Sequence, residues 1–365
     1  MYYNEKILLV SNYSNIPGGR SFLGKTIYKI INQLYKNQFV SINLKKKEKK
    51  NIFYYLNTLR GHIDGINSCS ISKIIDIINK KKINRIFIDG SNLGEISKIL
   101  KKRFPNKTIY TFYHNVECIF FWQLFLIKKS IRSFFIMLVN FLSEKKSIKY
   151  SDYNIVLNNR DSKNLKYIYG KKADYIIPLI LENKFKKIKS RNLKQKKLSA
   201  LFVGRNFFAN ILGIEWFVKN VLPYVDLKLI IVGKGMEKYK KKFVKSKNVE
   251  CVGATNDLNY WYRKVHFVLS PIFHGSGMKT KIAESLMHGK KIVATKESFI
   301  GYEGISKKAG FVCNTANDFI FTIKKNSVNL KTKSFYPSLQ NIFLKKYSYK
   351  AGLKYYNKLF TKNKV

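Results

Sequence analysis

Short apolar runs alternate with amphipathic stretches along the whole chain. In the first half the runs Lys6–Ser11, Phe39–Leu44, Arg85–Asp89, Thr108–Tyr113, Tyr153–Leu157 and Tyr175–Pro178 read as strands. Between them apolar residues recur at helical spacing, most clearly over Ser21–Tyr35, Ser70–Lys80 and Leu93–Arg103. The second half repeats the theme, with strands over Leu198–Val203, Leu227–Val232, Val249–Val252, Val265–Leu269, Lys291–Thr295 and Phe311–Cys313. Its helices fall over Ile211–Val221, Asn256–Lys264, Met278–His288 and Asn317–Lys325. Such alternation predicts parallel sheets covered by helices, an α/β fold built as two Rossmann-like domains.

The pattern also marks the boundaries. Glu182–Lys197 is polar and lysine-rich without apolar periodicity, and reads as a linker over 182–197 between a domain of residues 1–181 and one of residues 198–335. Residues 336–365 carry one helix-length segment, Tyr349–Phe360, expected to return to the first domain. Ile119–Leu142 packs large apolar residues around Lys128, Lys129 and Arg132. Those charges lie too centrally for a spanning helix. Two readings stay open: one long half-buried helix, or an interfacial helix whose aromatics enter a membrane while its cations meet anionic lipid.

Composition changes this picture in two ways. The formal net charge is +49, carried mainly by lysine. It admits a nucleic-acid-binding reading, but arginine, the residue suited to bidentate base and phosphate contacts, is scarce and unclustered. The charge also favours an anionic membrane surface, at roughly 1 kcal/mol per lysine held near the headgroups. Cys69, Cys118, Cys251 and Cys313 stand far apart with no C-x-x-C pair, which argues against a zinc site and for a reducing compartment. Lys6–Val10 reads as a first strand and not as an export signal, so a cytoplasmic protein is expected, at most peripheral on the inner face of the membrane.

The richest chemistry lies over residues 274 to 295. An apolar run ends at Pro271, Gly275 and Gly277 open a turn, a helix runs to His288, and Gly289 stops it. A glycine loop before a helix gathers free N–H groups and the positive end of the dipole, a setting for phosphate. Lys281 and Glu284 share one face of that helix. A cation for phosphate beside a carboxylate that can accept from two hydroxyls suits a nucleoside diphosphate with its ribose. Gly19–Thr26 also fits the P-loop spacing G-x-x-x-x-G-K-T. Asn12–Pro17 separates it from the strand, however, and Gly24, Lys25 and Thr26 fall where a helical pattern has begun, so the nucleotide-hydrolase reading is set aside.

With a glycine loop and a Lys–Glu helix in the second of two Rossmann-like halves, the chain resembles a GT-B glycosyltransferase, most closely glycosyltransferase family 4, the group 1 transferases. The resemblance is strongest over Ser199–Ile305 and recurs at His114-Asn115-Val116-Glu117. It implies two Rossmann-like domains facing a cleft, a nucleotide-diphosphate sugar on the second domain and most of the acceptor site on the first. It implies that Glu284 holds the ribose hydroxyls. Gly275, Ser276, Gly277, Met278, Lys279 and Thr280 would line the donor, with backbone N–H groups around Gly277–Lys279 on the diphosphate. In Leu201-Phe-Val-Gly204-Arg205 it places Gly204 and Arg205 at the diphosphate. Family members offer a lysine a few residues later; here Asn206–Asn210 has none, and Lys279 or Lys281 takes its place. His114 would lie beside the transferred sugar, and Glu117 would orient it or touch the acceptor. Gly18 and Gly19 belong to the glycine-rich loop after the first strand. One departure stands out: where many members carry a first glutamate, eight positions before the second, this chain has Ser276.

The resemblance further implies retention of anomeric configuration, with stabilisation of the diphosphate leaving group as the main catalytic term. No Asp-x-Asp motif occurs, and no metal or other cofactor is expected. The expected function is sugar transfer to a glycan or lipid-linked acceptor in surface polysaccharide or glycoconjugate assembly. The alternatives are a degenerate sugar-nucleotide-binding protein, prompted by Ser276, and a basic nucleic-acid-binding protein.

Overall fold

The computed structural model describes residues 5–12, 19–44, 57–58, 60–185, 197–243 and 248–361. The chain divides into two compact units, Met1–Ile180 with Gly352–Val365, and Leu181–Ala351.

The first unit is built on a six-stranded sheet in the order β2-β1-β3-β4-β5-β6. The strands are β1 (Ile7–Ser11), β2 (Phe39–Asn43), β3 (Arg85–Asp89), β4 (Thr108–Tyr113), β5 (Tyr153–Val156) and β6 (Tyr175–Ile176), all parallel. Every residue of β1 and β3 is buried, which is why they read as unbroken apolar runs: a parallel sheet covered on both faces has no polar side to alternate with. Helices α1 (Gly19–Tyr35), α2 (Ser68–Lys81) and α3 (Gly94–Arg103) lie between the early strands. Asn67 starts α2 through a capping box with Ser70. Leu8, Val10, Ile74, Ile78, Ile86, Ile88, Ile96 and Leu100 share one core cluster.

The apolar segment after β4 is not one helix. It breaks into α4 (Glu117–Lys128) and α5 (Ile131–Tyr150). Lys129 takes a left-handed conformation, φ 44°, and Ser130 caps α5 through a capping box with Ser133. A single capping serine therefore turns the chain back and makes a hairpin of the two helices. No helix among the described residues is long and apolar enough to cross a membrane. On the other side of α5, α3 comes close enough that a Cβ on Gly94 would lie 1.9 Å from the Ser143 carbonyl oxygen. Glycine is required there by the approach of two backbones.

The second unit repeats the layered plan, in the order β12-β11-β10-β7-β8-β9. Its strands are β7 (Leu198–Val203), β8 (Leu227–Val232), β9 (Val249–Gly253), β10 (Phe267–Ser270), β11 (Ile292–Ala294) and β12 (Gly310–Val312). Among its helices are α6 (Phe208–Asn220), α7 (Leu258–Arg263), α8 (Thr280–Met287) and α9 (Ala316–Lys325). Phe202, Ile214, Phe217, Leu229, Ile231, Phe267, Leu269 and Phe319 meet in its core.

The tail holds two helices where the sequence suggests one. Helix α10 (Pro337–Lys346) stays with the second unit: Gln340 Nε2 donates to the Met287 carbonyl at 3.1 Å, and Tyr336 N–H to that of Gly289 at 2.8 Å. Helix α11 (Tyr349–Thr361) then carries its later turns onto the first unit's sheet. Phe360 packs on Tyr35, Phe87 and Tyr110, and Tyr356 on Phe87. Buried Arg85 donates to the Phe360 carbonyl at 2.9 Å, a cation at the negative end of the helix dipole. The linker residues 186–196 lie outside the described residues.

Candidate active site

In the second unit the strand–loop–helix of residues 267–289 builds the densest group of candidate residues. β10 delivers the chain into Pro271, and the backbone turns at Gly275 (φ 121°) and Gly277 (φ 66°) before α8 begins. Lys279 is the N-cap residue but makes no side-chain cap bond. Its ammonium turns aside to the Gly277 carbonyl at 3.2 Å and to Glu297 Oε1 at 2.8 Å. Tyr302 O–H donates to the Lys279 carbonyl at 3.1 Å, fixing the loop's exit. At the other end Gly289 (φ 59°) closes a Schellman motif, with Gly289 N–H on Leu286 and Lys290 N–H on Ser285.

Lys281 and Glu284 project from α8 as their spacing implies. Lys281 is buried, its Nζ donating to Asn210 Oδ1 at 2.9 Å and lying 4.1 Å over the Phe202 ring. Burial lowers its pKa to about 7, partly opposed by Glu284 and reinforced by Lys279. A lysine with a modest penalty against being neutral has much to gain from an anion. Glu284, half-buried, accepts from Tyr262 O–H at 3.2 Å. Burial raises its carboxyl above the usual range, while Tyr262 and Lys281 pull it down. Tyr262 in turn lies flat on His288, ring centroids 4.2 Å apart.

Arg205 is exposed just beyond β7 and Gly204. Its carbonyl accepts from Asn210 Nδ2 at 2.9 Å, so Asn210 ties the Arg205 loop to Lys281. The structure thus gathers Gly204, Arg205, Gly275, Ser276, Gly277, Met278, Lys279, Thr280, Lys281 and Glu284 in one unit. Of the two lysines offered for the diphosphate, Lys279 is engaged by Glu297, and Lys281 is the one joined to the Arg205 loop. Asn210, Tyr262 and Glu297 complete the group and have no motif of their own in the sequence.

His114 belongs to the first unit. It follows β4, with Nε2 2.8 Å from Asp89 Oδ1 at the end of β3. Glu117, the first residue of α4, lies 3.7 Å from Arg20, whose other nitrogen donates to Asn12 and Asn92. Burial pushes the Glu117 carboxyl up to about 7, against the pull of Arg20 and with a further push from Glu144. Glu144, buried on α5, accepts the backbone N–H groups of Glu117 and Cys118 at 2.8 and 3.1 Å, together with Ser91 Oγ and Tyr169 O–H. It serves as a carboxylate cap for α4 supplied from the neighbouring helix. Gly19 opens α1, and Gly18 lies outside the described residues. The P-loop spacing of residues 19–26 falls wholly within α1, where Thr26 Oγ1 donates to the Phe22 carbonyl. Among the described residues no group of three His, Cys, Asp or Glu side chains is placed to hold a metal ion.

Residues 197–325 match the family model described as glycosyl transferases group 1. No curated protein matches the chain. Among solved structures, a sucrose-phosphate synthase from Thermosynechococcus elongatus is similar with a TM-score of 0.76 at 14% identity, over 98% of this chain and 99% of that one. HepE from Anabaena, solved in complex with UDP, is similar at 0.68 and 13% identity, over 98% and 100% of the two chains. WaaB, a lipopolysaccharide outer core galactosyltransferase, gives 0.65 and 12%, over 98% and 99%. At these identities the likeness shows the fold, which is that of the GT-B glycosyltransferases.

Proposed function

We propose that the chain transfers a sugar from a nucleoside-diphosphate sugar to a hydroxyl of a glycan or lipid-linked acceptor, with retained configuration, in surface polysaccharide or glycoconjugate assembly. The observation that carries the reading is Glu284 and Lys281 side by side on α8, behind a glycine loop within the residues that match the group 1 model. In this reading the Glu284 carboxylate accepts from the ribose diol. The N–H groups at the start of α8, with Lys281 and Arg205, take the diphosphate and meet the leaving group's charge without a resident metal. HepE's complex with UDP supports a uridine nucleotide as the first donor to try.

A thermal-shift screen against sugar nucleotides tests it. At least one should raise Tm, since a ligand at 100 times its Kd adds about 2.7 kcal/mol of stability. A panel without any shift removes the donor site. Turnover of the nucleotide that binds, measured beside its affinity, decides whether Ser276 leaves an active enzyme. The anomeric proton of the product reports retention or inversion.

The acceptor side has a second observation behind it. The hairpin of α4 and α5 exposes Trp122, Leu126, Ile127, Ile131 and Phe134, with Ile131 at 90% exposure. Lys128, Lys129 and Arg132 are exposed around them. Apolar side chains ringed by cations suit the surface of an anionic bilayer. The expected result is flotation with anionic vesicles at low salt, lost when Trp122, Leu126 and Ile131 are changed together to serine. A wild-type chain that stays at the bottom of the gradient ends the membrane proposal.

A further inference from the structure

The segment that follows β11 is fastened along the glycine loop from root to tip. Ala294 ends β11 in register with Ser270, the last residue of β10. Thr295 N–H then donates to the Ser270 carbonyl at 3.2 Å, and Ser298 Oγ donates to the same carbonyl at 2.7 Å. Thr295 Oγ1 donates to the Ile272 carbonyl. Both side chains are fully buried. At the tip, Glu297 Oε1 accepts from the Lys279 ammonium at 2.8 Å, and Tyr302 O–H donates to the Lys279 carbonyl at 3.1 Å. Between them Gly301 (φ 81°) passes so close that a Cβ on it would lie 2.4 Å from Met278 Cγ. Residues 295–302 therefore brace residues 270–279.

Lys279 fastens the loop from its own side as well. Its ammonium donates to the Gly277 carbonyl, two residues back, at 3.2 Å, and a Cβ on Gly275 would stand 3.9 Å from it. The side chain thus folds back across the loop it belongs to. The Lys279 and Glu297 side chains are only 11% and 21% exposed, and separating a pair so sheltered from water leaves each charge poorly solvated. The loop needs such a fastening, because Gly275 and Gly277, both at positive φ, leave its backbone free to take other shapes. We infer that Glu297 is a positioning residue for the donor. Through Lys279 it holds the glycine loop in the shape that aims the N–H groups at the start of α8 toward the diphosphate, and Lys279 is a fastening of that loop and not a ligand of the phosphates. The inference rests on the proposed donor site. Lys279 and Glu297 cancel in charge, so the cations left for the diphosphate are Lys281 and Arg205. N–H dipoles stabilise a developing charge in proportion to how well they are held beforehand, which is what the brace supplies.

Calorimetric titration of UDP, beside ligand-observed NMR titration of uridine, tests this on the full chain and its variants. Where another sugar nucleotide gives the larger thermal shift, its nucleoside diphosphate and nucleoside take their place. Glu297→Ala and Lys279→Ala should each weaken UDP roughly tenfold, the worth of one hydrogen bond. The double variant should lose no more than either single one, because both break the same fastening. Uridine affinity should stay at the wild-type value, since the loop serves the phosphates alone, whereas general damage to the unit lowers both. Glu297→Gln, whose amide oxygen still accepts from the ammonium, should fall between alanine and the wild type, and it stands in for alanine if that variant does not fold. A Lys279 that is a phosphate ligand held back by Glu297 gives the opposite sign, because freeing it tightens UDP. Tighter or unchanged UDP binding by the Glu297 variants overturns the inference. So do additive losses in the double variant, or equal losses for UDP and uridine. A wild type that binds no nucleoside diphosphate removes the donor site and the inference together, a result distinct from a wild type and a Glu297→Ala variant that bind equally well.

Discussion

Glu284→Ala should lower kcat/KM for sugar transfer by at least about 100-fold, with most of the loss in donor affinity. In the proposed donor site the side chain makes two charge-assisted bonds to vicinal hydroxyls, each worth roughly 1.5–3 kcal/mol, and about 2.7 kcal/mol already corresponds to 100-fold. The fold should survive, because Glu284 is half-buried and its one side-chain bond in the described structure comes from Tyr262. Tyr262 stays fixed by its stack on His288. Glu284→Gln sharpens the test. Its amide oxygen can still accept from Tyr262, but it offers one acceptor where the carboxylate offers two and carries no charge to support Lys281. Calorimetric titration of the sugar nucleotide into both variants, beside their turnover, is the measurement. Near-normal binding by Glu284→Ala would move the ribose site elsewhere.

The second large effect is on stability. Glu144→Ala should cost about 3–5 kcal/mol, read as a drop in the urea midpoint with little change in slope. Glu144 takes four donors from three directions: two backbone N–H groups at the start of α4, Ser91 and Tyr169. Alanine would leave those donors buried without a partner in a space too closed for water to serve each of them. Burial raises the Glu144 carboxyl while all four donors hold it down. Glu144→Gln keeps two of the four bonds at best, so its loss should fall between alanine and the wild type. A change within 1 kcal/mol for alanine would mean that the α4 start is satisfied by some other route. The consequence reaches the site, since the residue capped by Glu144 is Glu117, beside Arg20.

Much of the fold was legible because buried parallel strands announce themselves. Arg85–Asp89, Thr108–Tyr113, Leu198–Val203 and Leu227–Val232 form over the ranges their apolar runs predict. The break at Lys129 and Ser130 was not legible. One capping serine inside an apolar stretch carries almost no periodic signal, and the charges around it read as interruptions of a single helix. Lys281 and Glu284 could be read from local spacing, as neighbours on one helix. Their partners could not. Asn210 lies 71 residues from Lys281, Tyr262 22 from Glu284, and Asp89 25 from His114. Those meetings follow from strand order and register, which one sequence does not state. Asp89 did leave a trace: it sits at the carboxyl end of a buried strand, where α/β folds gather ligands. The positions of Gly275, Gly277 and Arg205 were legible for the opposite reason, since each stands close to a strand end or helix start.

The placement of α11 bears on how the protein is made. The face of β3 and β4 that carries Phe87 and Tyr110 is covered by Tyr356 and Phe360, which follow the whole of the second unit in the chain. A nascent first unit therefore waits, with aromatic surface bare, through synthesis of the entire second unit. The second unit, contiguous from Leu181 to Ala351, finishes first although it begins later. Synthesis runs from one end while completion runs from the other, and bare aromatic surface in the interval between them favours aggregation.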